Sequence, residues 1–239
     1  VNDFHMGISN DLCAEKYNVS REDQDRYAAE SYRRTLAAMA AGRFEAEIMP
    51  VKVPGKKGTT LFVQDECPRE TSYEALAAMK PAFQKNGTAT AGNASIISDG
   101  AAAVVVMSRE KAEALGCTIM ATVGAQASFG LDMKYVLVAP IGAIPKCLKK
   151  EGIAIDRVDL FEVNEAFSGS TVAVMRELGL DPARVNVNGG SVALGHPIGA
   201  SGCRVLVTLI HEMQRQDKKT GLATLCLGGG EAVALVVRR

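Results

Sequence analysis

The sequence predicts an α/β fold: a five-stranded mixed sheet with flanking helices, preceded by a mostly helical and irregular layer. Three observations lead there. From residue 99 onward, short continuous apolar runs alternate with stretches of helical period, the pattern of a sheet buried on both faces. Residues 1–98 lack this alternation and read as polar helices joined by irregular connections. Several apolar runs stop at a polar or glycine-rich corner, which is where open α/β sheets assemble their sites. The chain therefore divides into a first unit at residues 1–98 and a second at 99–239.

In the first unit, Ser20 with Asp23 reads as an N-terminal cap. The helix it opens runs to Gly42, with Tyr27, Ser31, Leu36, Met39 and Ala40 as a partly apolar face. Val51–Val53 leads into the turn-forming Pro54-Gly55-Lys56-Lys57-Gly58, whose two lysines suit either phosphates or water. Thr71–Met79 predicts a short helix ending before Pro81. Phe83 then leads into Thr90-Ala91-Gly92-Asn93-Ala94-Ser95. A loop of such small residues suits tight packing or a narrow channel.

In the second unit, Ala101–Met107 predicts a buried strand, Arg109–Leu115 a helix closed by Gly116, and Thr118–Ala127 a second strand. A helix follows from Pro140 toward Gly152. Val158–Val163 is the third strand, and Asn164-Glu165-Ala166-Phe167 turns it into a helix that Gly179 ends. Residues 188–204 hold five glycines and a proline around His196, a shaped loop rather than a core segment. Cys203, Leu206, Val207, Ile210 and Met213 then fall at helical spacing. Gly221–Leu227 and Ala232–Val237 are the last strands, joined by Gly228-Gly229-Gly230-Glu231.

Composition removes several function classes. Lys and Arg number 27 and so do Asp and Glu, which gives zero formal charge and no basic field for nucleic acid. A small-molecule partner fits better. No apolar run reaches the ~18 residues of a membrane span, so no membrane partner is expected. The first residues carry neither a basic segment nor an apolar leader core, so the expected location is the cytoplasm, with the mitochondrion left open. The six cysteines form no C-x-x-C pair and lack a histidine at zinc-ligand spacing. They read as reduced thiols, and no metal is expected. No GxGxxG or P-loop accompanies them.

Three corners carry candidate chemistry. His196 sits where an imidazole does acid–base work, Asn164 follows a strand, and Cys226 ends another strand immediately before three glycines. The segments Asn164-Glu165-Ala166-Phe167, Gly195-His196-Pro197-Ile198-Gly199-Ala200-Ser201-Gly202 and Cys226-Leu227-Gly228-Gly229-Gly230, in this order and spacing, resemble the thiolases, which form or cleave 3-ketoacyl-CoA. The resemblance extends from His5-Met6-Gly7 to the C-terminus.

By that resemblance, His196 activates a nucleophilic cysteine and places an N–H at the thioester oxygen, and Asn164 holds a water that completes this oxyanion site. Cys226 moves the α-proton, for which its thiol needs a pKa lowered by its surroundings or by His196. The Gly228 N–H contributes to a second oxyanion hole. Ser95 and Ala91 line a pantetheine tunnel, Phe83 flanks it, Phe167 forms a wall, and His5-Met6 lies near the acyl end. Lys56 stands beside the ADP part of CoA, where the family frequently has an arginine. Read from its position alone, Glu165 either orients neighbouring groups or is a helix-start partner.

The resemblance implies Claisen condensation and thiolytic cleavage between CoA thioesters, two acetyl-CoA giving acetoacetyl-CoA and CoA. Coenzyme A is then a substrate, no cofactor is needed, and the complete enzyme is a homo-oligomer. Residues 134–142 lack the Met-Gly often found before the proline of short-chain thiolases, so Val136 or Leu137 reshapes the acyl pocket. No cysteine here has the setting of the family's nucleophile, which implies that it lies in an N-terminal half ahead of residue 1 and that this polypeptide alone is inactive. Two rivals remain. A ketosynthase-type condensing enzyme would favour histidine at Asn164. A non-catalytic CoA-binding or assembly subunit of a two-chain complex would account for the lack of an acylated residue here.

Overall fold

The computed structural model describes residues 3–56 and 58–239. Lys57 lies outside the described residues. The first layer opens with α1 (Met6–Lys16), capped by His5, whose Nδ1 accepts from the Gly7 N–H at 3.1 Å. The sequence pattern missed this helix because its buried face is polar: Ser9, Asn10 and Asp11 go inside. Asp11 is held there by donors from Gln84, Thr88 and Ala89. Asn10 Nδ2 donates to Gln24 at 3.0 Å.

Helix α2 (Arg21–Ala40) starts at the expected cap, where Ser20 and Asp23 exchange hydrogen bonds, a full capping box. Its buried stripe is Ala28, Ser31, Tyr32, Thr35 and Ala38, rotated from the face read in the sequence because it packs on polar neighbours as well as apolar ones. An exposed hairpin follows, β1 (Val51–Gly55) paired antiparallel with β2 (Gly58–Phe62), with Lys56 in its turn. Helix α3 (Tyr73–Ala77) is short and capped by Ser72.

Ala101–Met107, expected as a strand, is not one. The segment has no ladder partner among the described residues, and Val105 and Val106 are 85% and 72% exposed. Apolar side chains make a strand only where another strand satisfies the backbone. The sheet accordingly has four strands, not five. Helix α4 (Arg109–Ala114) is followed by β3 (Thr122–Gly130), which begins later than expected and is bulged between Val123 and Gln126. A tight turn at Met133–Val138 leads into α5 (Pro140–Glu151), then β4 (Leu160–Val163) and α6 (Ser168–Glu177). The chain finishes with α7 (Ser191–Leu194), α8 (Ser201–Arg215), β5 (Thr220–Leu227) and β6 (Glu231–Arg238).

The sheet order is β3-β6-β5-β4, with β4 and β5 parallel and the other pairs antiparallel. Period-two alternation divides its residues between two cores. Phe161, Val163, Leu222 and Val236 pack on Ala143, Ile144 and Leu148 of α5 and on Val174 of α6. Leu160, Ala223 and Val237 pack on Val205, Leu209 and Met213 of α8. That stripe differs from the sequence reading, which set Cys203 at helical spacing with Met213; Cys203 is only partly buried. Parallel pairing of β4 with β5 brings their C-terminal ends together, and this positions the site.

Candidate active site

Strand β4 ends at Val163, opposite Thr224 of β5. The register continues one step into the corner, since the Asn164 N–H donates to the Thr224 carbonyl at 3.0 Å. Cys226 lies two residues past Thr224, so strand spacing and rise place its backbone about 6 Å from that of Asn164. Two of the three corners thus meet at one sheet edge.

The Asn164 side chain is 6% exposed, and its Oδ1 accepts from the Ser191 hydroxyl at 2.6 Å. Its Nδ2 is buried without an acceptor among the described residues. Leaving such a donor unmatched costs about 1–3 kcal/mol. The fold leaves this amide N–H free for another group.

Glu165 is committed to contacts within the fold. Its buried carboxylate accepts from Tyr27 Oη at 2.8 Å, Ser31 Oγ at 2.7 Å, Asn186 Nδ2 at 3.1 Å and the Val192 N–H at 3.1 Å. It ties α2, the Asn164 corner and α7 together. A Cβ on Gly190 would fall 2.5 Å from its carboxyl carbon, which is why glycine stands there.

The small-residue loop stitches this corner to the His196 loop. The Ser95 N–H donates to Ala166 O, Ala94 bridges Phe167, and the Ser168 N–H donates to Asn93 O. Further on, the His196 N–H donates to Ile96 O at 2.7 Å. Ser95 is partly buried and Ala91 exposed. Gly195, at φ +99°, makes the turn that presents His196.

The Nδ1 edge of His196 is engaged by Ser201 Oγ at 2.5 Å, and that hydroxyl also donates to Pro197 O at 3.0 Å. Chemistry is left to Nε2. Burial, aided by the nearby Arg204 charge, lowers the imidazole pKa below its usual 6.5, so the ring is neutral at pH 7 and fit to take a proton.

Cys226 is partly exposed and packs beside the cluster formed by Phe167, Ala166, Val136, Leu137 and Cys13. Its surroundings do not lower its pKa. Burial raises the thiol to about 11, so the resting form is the protonated one. Val136 and Leu137 are nearly fully buried in that same cluster. Gly228 opens the turn between β5 and β6, and a Cβ there would touch nothing within 4 Å.

His5, Phe83 and Phe167 form one aromatic row. His5 stacks on Phe83 at 4.5 Å, and Phe83 meets Phe167 edge-on at 6.0 Å. Met6 is exposed beside them. Lys56 is exposed in its hairpin turn, and the structure joins it to none of these groups. All six cysteines are free. Sequence reading missed Ser191, Ser201 and Arg204, although each is a polar side chain within the glycine-rich stretch it singled out.

The family model for the thiolase C-terminal domain matches residues 117–239, and that for the thiolase N-terminal domain matches residues 1–110. The acetyl-CoA acetyltransferase of Pseudomonas aeruginosa is 55% identical over 240 residues, covering 100% of this chain and 61% of that protein. The Escherichia coli K12 acetyl-CoA acetyltransferase is 50% identical over 237 residues, covering 99% and 60%. The crystal structure of the Bacillus anthracis acetyl-CoA acetyltransferase superposes with a TM-score of 0.98 at 41% identity, covering 100% of this chain and 61% of that one. Human mitochondrial 3-ketoacyl-CoA thiolase gives 0.92 at 39% identity, covering 98% and 59%. The chain therefore spans about three-fifths of the length of these relatives.

Proposed function

Because the chain belongs to the thiolase family, we propose that its three corners form the oxyanion- and proton-handling part of a Claisen condensation site for CoA thioesters. The favoured reaction joins two acetyl-CoA into acetoacetyl-CoA and CoA, and runs in reverse as thiolysis. A cysteine outside these 239 residues holds the acyl group as a thioester. His196 Nε2 takes the proton that frees its thiolate.

In the condensation, the acceptor acetyl-CoA binds with its carbonyl oxygen toward His196 and a water held by Asn164. Formation of the acyl-cysteine thioester from the donor acetyl-CoA expels a CoA thiolate, which takes the Cys226 proton. The resulting Cys226 thiolate then removes the α-proton of the acceptor, and the charge that moves onto the oxygen meets those donors. The α-carbon then attacks the acyl-cysteine carbonyl, forming the new C–C bond. The Gly228 N–H receives the second oxyanion. Collapse breaks the C–S bond, releases acetoacetyl-CoA and returns the cysteine thiolate, which recovers its proton through His196.

CoA enters as substrate, and no cofactor is required. We assign residues 1–98 to the CoA-facing layer, with Ser95, Ala91 and Phe83 along the pantetheine arm, His5, Met6 and Phe167 toward the acyl end, and Lys56 toward the ADP portion. Residues 99–239 form the catalytic α/β unit. The working assembly is a homo-oligomer in the cytoplasm. A polypeptide of these 239 residues alone is inactive.

The observation that carries this reading is the buried Asn164 amide with a free N–H at the shared end of β4 and β5. Its test is CoA-dependent acetoacetyl-CoA cleavage by this chain combined with a polypeptide bearing the family's nucleophile segment. Asn164→Ala should lower kcat by about 10²–10³. Full activity in that variant would leave a non-catalytic CoA-binding subunit as the better account.

A further inference from the structure

The Asn164 amide has two ends that differ chemically, one accepting and one donating, and a water held by the donating end keeps both of its protons for the oxyanion and its other neighbours. Something must hold the group in the useful orientation. Ser191, at the start of α7, has its hydroxyl 2.6 Å from Asn164 Oδ1 and 3.2 Å from Arg204 Nη2 on α8. Ser191 is fully buried. These two groups are its only hydroxyl partners among the described residues.

The directions follow from what each group is able to do. A guanidinium is always protonated and has no acceptor, so the bond between Arg204 and Ser191 has only one sense, Arg204 donating. The Ser191 hydroxyl then holds one proton for one remaining neighbour. A buried O–H needs an acceptor, and Asn164 offers one only through Oδ1. The amide is therefore set with Oδ1 toward Ser191 and Nδ2 away from it, and Nδ2 is the buried donor without an acceptor.

We propose that Arg204 and Ser191 form a directional relay that orients the Asn164 amide, making both positioning residues for the oxyanion site. The proposal rests on the thiolase reading above and adds two residues to it. Arg204 is itself only partly matched: Nη1 lies 3.6 Å from Glu162 Oε2, and neither Nε nor Nη1 makes a hydrogen bond. The bond to Ser191 is its one directed contact. Burial, with a smaller contribution from the Arg204 charge, lowers the His196 pKa.

Two measurements test the relay. In the 239-residue chain with 13C,15N-labelled asparagine, Ser191→Ala should move the Asn164 Cγ resonance in the direction of a lost hydrogen bond and leave the Nδ2 pair nearly in place. A larger change at Nδ2 than at Cγ would overturn the assignment, because it would put the amine end against Ser191. In the catalytically competent combination, Ser191→Ala should lower kcat about tenfold, less than loss of an oxyanion donor itself, with KM for acetoacetyl-CoA within about twofold. The same substitution in an Asn164→Ala background should cost nothing further. An equal loss in both backgrounds would mean that Ser191 acts through packing and would refute the relay. If instead Asn164→Ala alone leaves kcat intact, the thiolase reading fails while the resonance test still decides the orientation.

Discussion

At neutral pH a thiol raised to about 11 by burial is almost wholly protonated, so in the proposed reaction Cys226 starts as a proton donor and becomes a base only after giving its proton away. The rate of iodoacetamide modification at Cys226, followed by peptide mass spectrometry, should therefore keep climbing beyond about pH 10. Levelling near 8.5, the usual thiol value, would contradict the burial that sets it. His196 is displaced the other way, below 6.5. A base with a depressed folded-state pKa leaves the unfolded chain binding more protons, so stability is full above the unfolded value and is lost as pH falls through 6.5 toward the folded one. His211 is shifted in the same sense by its own burial. Replacing His196 with Gln should reduce, not abolish, the drop in urea midpoint between pH 8 and pH 5. Asn164 and Cys226 were legible as strand-end residues and His196 from the glycine-rich loop around it; their hydrogen-bond partners were not, because a serine in a glycine-rich run carries no periodic signal.

Among the elements, α8 contributes most to the core on its side of the sheet, through Val205, Leu209 and Met213. Leu209 is 1% exposed, and Leu209→Ala should cost about 2–5 kcal/mol in urea denaturation. A loss below about 0.5 kcal/mol would mean that the α8 face is not packed as described. At the other end of the chain, the α2 cap adds a pH-dependent share. Arg176, with help from Ser20, holds Asp23 at about 2, so the contribution is present above 3.8 and fades as pH falls toward 2. Both caps and glycine stops were readable from residue type. Helix α1 was not, since it buries Ser9, Asn10 and Asp11 against partners more than ten residues away in sequence. The phase of α8 was misjudged for a related reason: Glu212, bonded by Asn188 and paired with Arg215, occupies a buried position that a hydropathy pattern assigns to solvent.

For the whole molecule, the fold class and the order of strands and helices after residue 109 followed from the alternation of apolar runs. Ala101–Met107 reads as a buried strand in the sequence yet leaves Val104, Val105 and Val106 exposed, with Ile119, Met120 and Val123 also uncovered. Apolar patches of this kind drive association. The 239-residue chain should sediment as a concentration-dependent mixture and bind a hydrophobic dye, and Val105→Asp with Val106→Lys should reduce both; a clean monomer without dye binding would contradict this. The most direct test of the account is acetoacetyl-CoA thiolysis by the 239-residue polypeptide, first alone and then with a polypeptide carrying the family's nucleophile segment. The account predicts no turnover alone and CoA-dependent turnover after addition. Turnover by the single polypeptide that Cys226→Ala abolishes would contradict it, since the nucleophile would then lie within these residues.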